Sequence, residues 1–215
     1  MLKLRLLPCL TSLSFVALFA LPAHAQKFQK QPTAKDFGGT VKEATTSFDA
    51  KKYAAAIRRL KEAIAIALEE LRKQILAVMP APPEGFKKLP PTKQAAVPAA
   101  LALSTTWVPV EQRYRAESGG GSIKVTVTAD SAVAKILEMG FAMAAHDPNS
   151  QIVEYEAHKA LFKTSKRGNK DRFDLQILVF GKHVVQVVAD GITKDNFFKT
   201  FSQAFVDKIA GILGK

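Results

Sequence analysis

The sequence predicts an α+β protein: an N-terminal helical hairpin, then an antiparallel sheet with helices packed on one side, in the order ββαβββα. Three observations carry this. Between positions 53 and 78 the large apolar residues return every three or four positions, as on one face of a helix. Ile123, Val125, Val127 and Ala129 alternate with Lys124, Thr126 and Thr128, as in a half-buried strand. Between these regions, "VMPAPPEGFKKLPPT" at 78–92 holds five prolines and separates the helical part from the β-rich part.

Residues 1–25 read as a secretory signal peptide, with Lys3 and Arg5, an apolar run over 10–21, and Ala23-His24-Ala25 before a cut that leaves Gln26 first. The run is about a dozen residues against the ~20 needed to cross a bilayer, so the cleaved chain is not expected to be transmembrane. Its expected location is periplasmic or secreted. The one cysteine, Cys9, falls inside the leader, which leaves the mature chain without disulfide, thiolate nucleophile or cysteine metal ligand. Lys and Arg number 31 against 19 Asp and Glu, a net charge of +12, or +10 without Lys3 and Arg5. Such a surface suits anionic neighbours. For an exported chain these are lipid headgroups or acidic polysaccharide rather than nucleic acid; the alternative is charge that serves solubility.

The helical hairpin spans 26–79. After a polar leader, Phe37, Val41, Ala44 and Phe48 mark one face of a short helix, and Asp49 is placed to cap the next. Tyr53, Ile57, Leu60, Ile64, Leu68, Leu71, Ile75 and Val78 then define an amphipathic helix of about 28 residues, ~42 Å long. The first helix covers at most half of it. Leu68, Leu71, Ile75 and Val78 therefore need shelter on the C-terminal unit or on a second subunit, since leaving each exposed forgoes ~1.5–3 kcal/mol. A homodimer is one allowed outcome.

Pro80, Pro82 and Pro83 end this helix, because proline lacks the N–H and disfavours helix in the residue before it. Phe86 and Leu89 are spaced to dip into a core, which makes 80–106 a structural junction rather than a docking ligand for a proline-reading domain. Pro98 opens a short helix to Leu103. The α+β part spans 107–215. Strands are expected at 108–116 and 122–129 around Gly119-Gly120-Gly121, then a helix over 132–146 capped by Asp130 or Ser131. Strands follow at 152–164, interrupted near Ala157, at 172–180 and at 183–190. Gly181-Lys182 forms a two-residue hairpin loop between the last two. Thr193 caps a final helix whose Phe197, Phe201, Phe205, Ile209 and Ile212 share one face.

The segments "AAIRRLKEAIAIALEELRKQILAVMPAPPEGF" and "RYRAESGGGSIKVTVTADSAV" resemble a family of uncharacterised exported bacterial proteins. Its members combine a helical N-terminus, a Pro-rich LPxxPxGW-like junction and an arginine-tyrosine strand. The matching positions are Met79-Pro80, Pro83, Gly85, Phe86, Tyr114, Asp130 and Ser131. Phe86 stands where that family usually has tryptophan, and Ala132 where it often has proline. The C-terminal half also looks like a Mog1/PsbP-type α+β fold. The resemblance implies export and a binding or assembly role, and it supplies no catalytic residues.

Several constellations are candidates for chemistry. The helix at 132–146 is apolar on nearly every face, which fits either a helix sandwiched between the sheet and the long N-terminal helix or the wall of a greasy pocket. In the second case Met139, Phe141, Met143 and Tyr155 are the ligand-binding candidates, methionine being adaptable to varied apolar shapes. The segment "KTSKRGNKDR" places Lys163, Lys166, Arg167, Lys170 and Arg172 around one hairpin tip, as an anionic-surface contact or as a solubilising tip. His146, His158 and His183 lack ligand spacing, so neither a metal nor another cofactor is expected. Glu154 and Glu156 share a strand face, more in keeping with solvation than with a paired-carboxylate site. No Gly-x-Ser-x-Gly elbow or phosphate loop occurs, so the chain is not expected to be an enzyme. Convergence of Asp130, Ser131, Tyr155 and His158 would revive that class. The expected function is a non-catalytic periplasmic or secreted module that binds a partner protein or an anionic envelope component. The alternative is a carrier or sensor of a small apolar ligand held between the sheet and helix 132–146.

Overall fold

A computed structural model describes residues 36–91, 109–130, 133–144 and 146–214. The leader at 1–25, its cut site, the helix expected from Pro98 and the cap at Ser131 lie outside these residues. Helices α1 (Asp36–Asp49) and α2 (Tyr53–Ala77) form the hairpin. Strands β1 (Phe86–Lys88), β2 (Val110–Ala116) and β3 (Ser122–Thr128) precede helix α3 (Val133–Ala144). Strands β4 (Ser150–Tyr155), β5 (His158–Arg167), β6 (Lys170–Val179) and β7 (His183–Asp190) follow, then α4 (Lys194–Thr200) and α5 (Gln203–Leu213). The strands make one seven-stranded antiparallel sheet in the order β1-β2-β3-β7-β6-β5-β4. The α+β class predicted from the sequence is the class observed.

Alternation along each strand gives the sheet two unlike faces. Tyr114, Ile123, Val125, Val187, Leu175, Ile177, Ala160 and Phe162 point to one face and join the main core. Ile75 and Met79 from the end of α2, and Phe197, Phe201, Phe205 and Ile209 from α4 and α5, complete it. Leu68, Leu71 and Val78 pack against the same cluster, so the far end of the hairpin finds its shelter on the sheet. Toward its start, α2 buries Ala56, Ala63 and Ile66, while Tyr53, Ile57, Leu60 and Ile64 stay 40–54 % exposed. The residues expected to need a second subunit, Leu68, Leu71, Ile75 and Val78, are thus covered within the chain, and the larger apolar residues near the start of α2 are the ones left outside.

Four expectations are corrected. Lys52, not Asp49, is the N-cap of α2, and it makes no side-chain capping bond. The strand expected over 152–164 with an interruption near Ala157 is a full hairpin turning at that point: Tyr155 pairs with His158, and Glu156 turns the chain with φ 41°. Glu156 therefore shares no strand face with Glu154. The β6–β7 turn centres on Phe180 and Gly181, both with positive φ, one position before the expected pair. The single last helix is two: Phe201 and Ser202 interrupt it, while Thr193 caps α4 by accepting from the Asn196 N–H at 3.3 Å. The Phe197–Phe201–Phe205 stripe stays buried across the break.

One feature has no counterpart in the sequence reading, and one further expectation, the place of α3, is corrected. Strand β1 arises within the Pro-rich junction and pairs with β2, Phe86 opposite Ala116 and Lys88 opposite Tyr114. The Tyr114 hydroxyl donates to the Pro80 carbonyl at 2.9 Å, and the Leu89 N–H to the Arg113 carbonyl at 2.9 Å. Fully buried Gln112 donates to the carbonyls of Leu89 and Arg113. The junction is thus held by the sheet's own polar groups. The corrected expectation is the place of α3. Its Ala134, Leu137 and Ala144 press on Leu161, Leu178 and Val184, which point to the face opposite the main core. The helices are therefore not all on one side, and α3 is not sandwiched between the sheet and α2, because α2 docks on the other face.

Candidate functional site

Among the described residues, the face that carries α3 is covered only at one end. Over the remainder, the strand register lines up polar and charged side chains in rows. Arg115 lies opposite Ser122, Ser122 opposite Asp190, Asp190 opposite Arg172 and Arg172 opposite Ser165. In the next row Arg113 faces Lys124, Lys124 faces Val188, Val188 faces Asp174 and Asp174 faces Lys163. Strands lie ~4.8 Å apart, so the first row carries Arg115 and Arg172 ~14 Å from one another with Asp190 between them.

These rows border a groove of about 710 Å³ at the end of the sheet away from α3. Its lining includes six basic side chains, Arg113, Arg115, Lys124, Arg167, Lys170 and Arg172, and one acidic one, Asp190. One rim is the triple-glycine turn. Lys170 reaches across from the β5–β6 tip and donates to the Gly120 carbonyl. Gly191 has φ 72°, and a Cβ there would lie 3.1 Å from the Gly121 Cα and 3.3 Å from the Gly120 oxygen. Only glycine lets these two turns close on each other beside Asp190.

Asp190 is 7 % exposed. Its Oδ2 accepts from Arg167 Nη1 at 3.4 Å and lies 3.5 Å from Ser122 Oγ. Its buried Oδ1 has no hydrogen-bond partner among the described residues. Arg113 is engaged by Glu111 beside it. The groove therefore combines an excess of cationic donors with one buried carboxylate whose Oδ1 has no hydrogen-bond partner among the described residues.

Of the five cations expected at the hairpin tip, Arg167, Lys170 and Arg172 line the groove. Lys166 points to the opposite face, one position out of phase with Arg167. Lys163 lies one row further along, opposite Asp174. Arg113, Arg115, Lys124 and Asp190 were missed because they come from strands distant in sequence and meet only through the register. The legible signal was the alternation Arg113, Arg115 in β2, which puts both guanidinium groups on one face.

The apolar candidates do not gather. Met139 and Met143 are 68 % and 70 % exposed on the outer side of α3, with Val133 and Ile136. Phe141 packs on the inner cluster under the helix. Tyr155 lies on the other face of the sheet, its hydroxyl donating to the Phe201 carbonyl at 2.9 Å, and burial pushes its pKa up to about 12. A dish of about 520 Å³ at the end of α3 is lined by His146, Asp147 and Ser150 among others, but Asp147 is already engaged by the Ser150 hydroxyl and the Asn149 N–H.

Of the enzyme constellation, Tyr155 and His158 are register partners in the β4–β5 hairpin, and Ser131 lies outside the described residues. Asp130 meets His183, not His158: its N–H donates to His183 Nδ1 at 3.0 Å. His158 packs edge-on against Phe180, ring centres 5.0 Å apart. No three His, Cys, Asp or Glu side chains come together as a metal would require among the described residues. His183 is 3 % exposed, and burial depresses its pKa against the opposing pull of Asp130. The unfolded chain protonates this ring near pH 6.5, the folded chain only at lower pH. The neutral ring thus contributes stability that is present above about pH 6.5 and is lost as pH falls below it. Urea midpoints measured at pH 7.5 and 5.5 are expected to differ less in His183→Asn, which keeps an acceptor and cannot titrate; an unchanged difference would refute the assignment.

No protein-family model matches the chain, and no curated protein and no solved structure shows significant similarity to it. No helix among the described residues is long and apolar enough to cross a membrane.

Proposed function

We propose that the chain is a non-catalytic exported module that holds an anionic component of the cell envelope on the open face of its sheet. The observation that supports this reading is the gathering of Arg113, Arg115, Lys124, Arg167, Lys170 and Arg172 from four strands onto one groove with a single carboxylate among them. Cations collected from separate strands concentrate positive potential in a way that a charged loop tip does not. The net charge of +12 favours the same class of partner at longer range.

Sedimentation with phosphatidylglycerol vesicles and retention on an acidic polysaccharide gel test the proposal. Binding to one or both is expected at low salt, with release as salt screens the contacts. Each basic group near an anionic membrane adds up to ~1 kcal/mol, so replacing Arg115, Lys124 and Arg172 together by Ser weakens vesicle binding by on the order of a hundredfold. Salt-insensitive binding, or binding untouched by the triple change, would sink the reading. A protein partner is the second reading, favoured by the exposed stripe Val133, Ile136, Met139 and Met143. Changing Met139 and Met143 to Glu separates the two, because it leaves the groove intact.

A further inference from the structure

The groove is not a plain anion site. Asp190 stands in the middle of the basic row, and a bare anion placed there meets a buried carboxylate within one strand spacing, ~4.8 Å. The two halves of the row call for opposite partners. Asp190 lines the groove, and its buried Oδ1 has no hydrogen-bond partner among the described residues, so a ligand hydroxyl that reaches it supplies the missing donor. Leaving such an acceptor unmet is costly, which makes it a selective feature when a ligand supplies the proton. Arg115 and Arg172 to either side, with Lys124 in the next row, need an acceptor that is charged.

We infer that the groove binds an anionic sugar, one that offers alcohol groups to Asp190 and a carboxylate or phosphate to the flanking cations. Resting on the function proposed above, this narrows the anionic component to a saccharide and accounts for the acid among the bases. Ser122, beside Asp190 in the row, supplies a further hydroxyl that both donates and accepts.

Calorimetric titration decides this with three probes: inorganic phosphate, glucose 6-phosphate and a trimer of galacturonate. In the wild type the two sugar anions are expected to bind about tenfold or more tighter than inorganic phosphate, the gain of one charge-assisted hydrogen bond. Tighter glucose 6-phosphate assigns a phosphorylated sugar, and tighter trigalacturonate a uronate polymer. Asp190→Asn is expected to move the probes in opposite directions. It removes the repulsion and tightens inorganic phosphate, and it weakens both sugar anions by about tenfold. Two results overturn the inference: all three probes binding alike in the wild type, or Asp190→Asn tightening the sugars along with phosphate. The wild-type comparison needs no variant, so it stands even if Asp190→Asn fails to fold. Salt-dependent vesicle retention with no affinity for either sugar would overturn the saccharide assignment and leave the proposed function in place. Loss of both would remove the two together.

Discussion

Replacing Phe197 by alanine is expected to cost about 3–5 kcal/mol of folding stability, the range for deleting a buried aromatic side chain. Phe197 is fully buried on the first turn of α4. Its ring lies 5.7 Å from that of Phe162, 5.5 Å from Phe173, 5.4 Å from Phe198 and 5.1 Å from Phe201. It therefore joins two adjacent strands to the C-terminal helices, and no single neighbour can move in to fill the space it leaves. Offset and edge-on ring pairs add ~0.5–1.5 kcal/mol each beyond the area they bury. Phe198, beside it and only partly buried, is the internal comparison: its alanine variant is expected to lose clearly less. Urea denaturation of both variants measures this. Equal small losses, under about 1 kcal/mol each, would mean that α4 repacks freely and is not an integral part of the core.

The second large effect is expected at Ile75. An aspartate there loses the apolar side chain, worth ~2–5 kcal/mol as a truncation, and adds an unpaired buried carboxylate. Ile75 is 0 % exposed between the last turns of α2 and the sheet. The same substitution at Ile57, which is on the same helix and 52 % exposed, is expected to stay within about 0.5 kcal/mol, as surface changes do. The contrast asks whether hairpin and sheet are one cooperative unit. If they are, Ile75→Asp lowers the melting of the whole chain in a single transition. A separate early transition confined to helix signal, with the sheet unaffected, would show two units that melt independently.

Much of this architecture was legible because the deciding signals were local. The stripe Leu68, Leu71, Ile75, Val78 announces an unpaired apolar face, and its length relative to α1 says that something beyond the hairpin must cover it. The alternation at 123–129 and the Phe stripe at 197–205 are equally direct. The elements that escaped share a different cause. Strand β1 is three residues long and exists because Arg113, Tyr114 and Gln112 hold it, so nothing within 86–88 could reveal it. The turn at Glu156 contains no Gly, Pro or Asn, so an interruption near Ala157 was legible there but a full hairpin was not, and the break at Phe201-Ser202 does not disturb the helical spacing of the phenylalanines. The groove was half legible: the basic tip is written in consecutive residues. Arg113, Arg115, Lys124 and Asp190 are spread over some 80 positions and become neighbours only when β2, β3, β7 and β6 align.

Strand β1 has one more consequence. A row of unpaired backbone groups along the rim of a sheet invites a foreign strand to add on. Here the rim beside β2 is closed by a segment of three residues, bounded by Pro83 on one side and by Pro90 and Pro91 on the other, with Lys87 and Lys88 within it. Ring-locked nitrogens cannot donate, and two neighbouring ammonium groups repel a like copy. The proline-rich passage thereby serves as a selvedge: it finishes the fabric on that side and keeps one molecule from being stitched to the next.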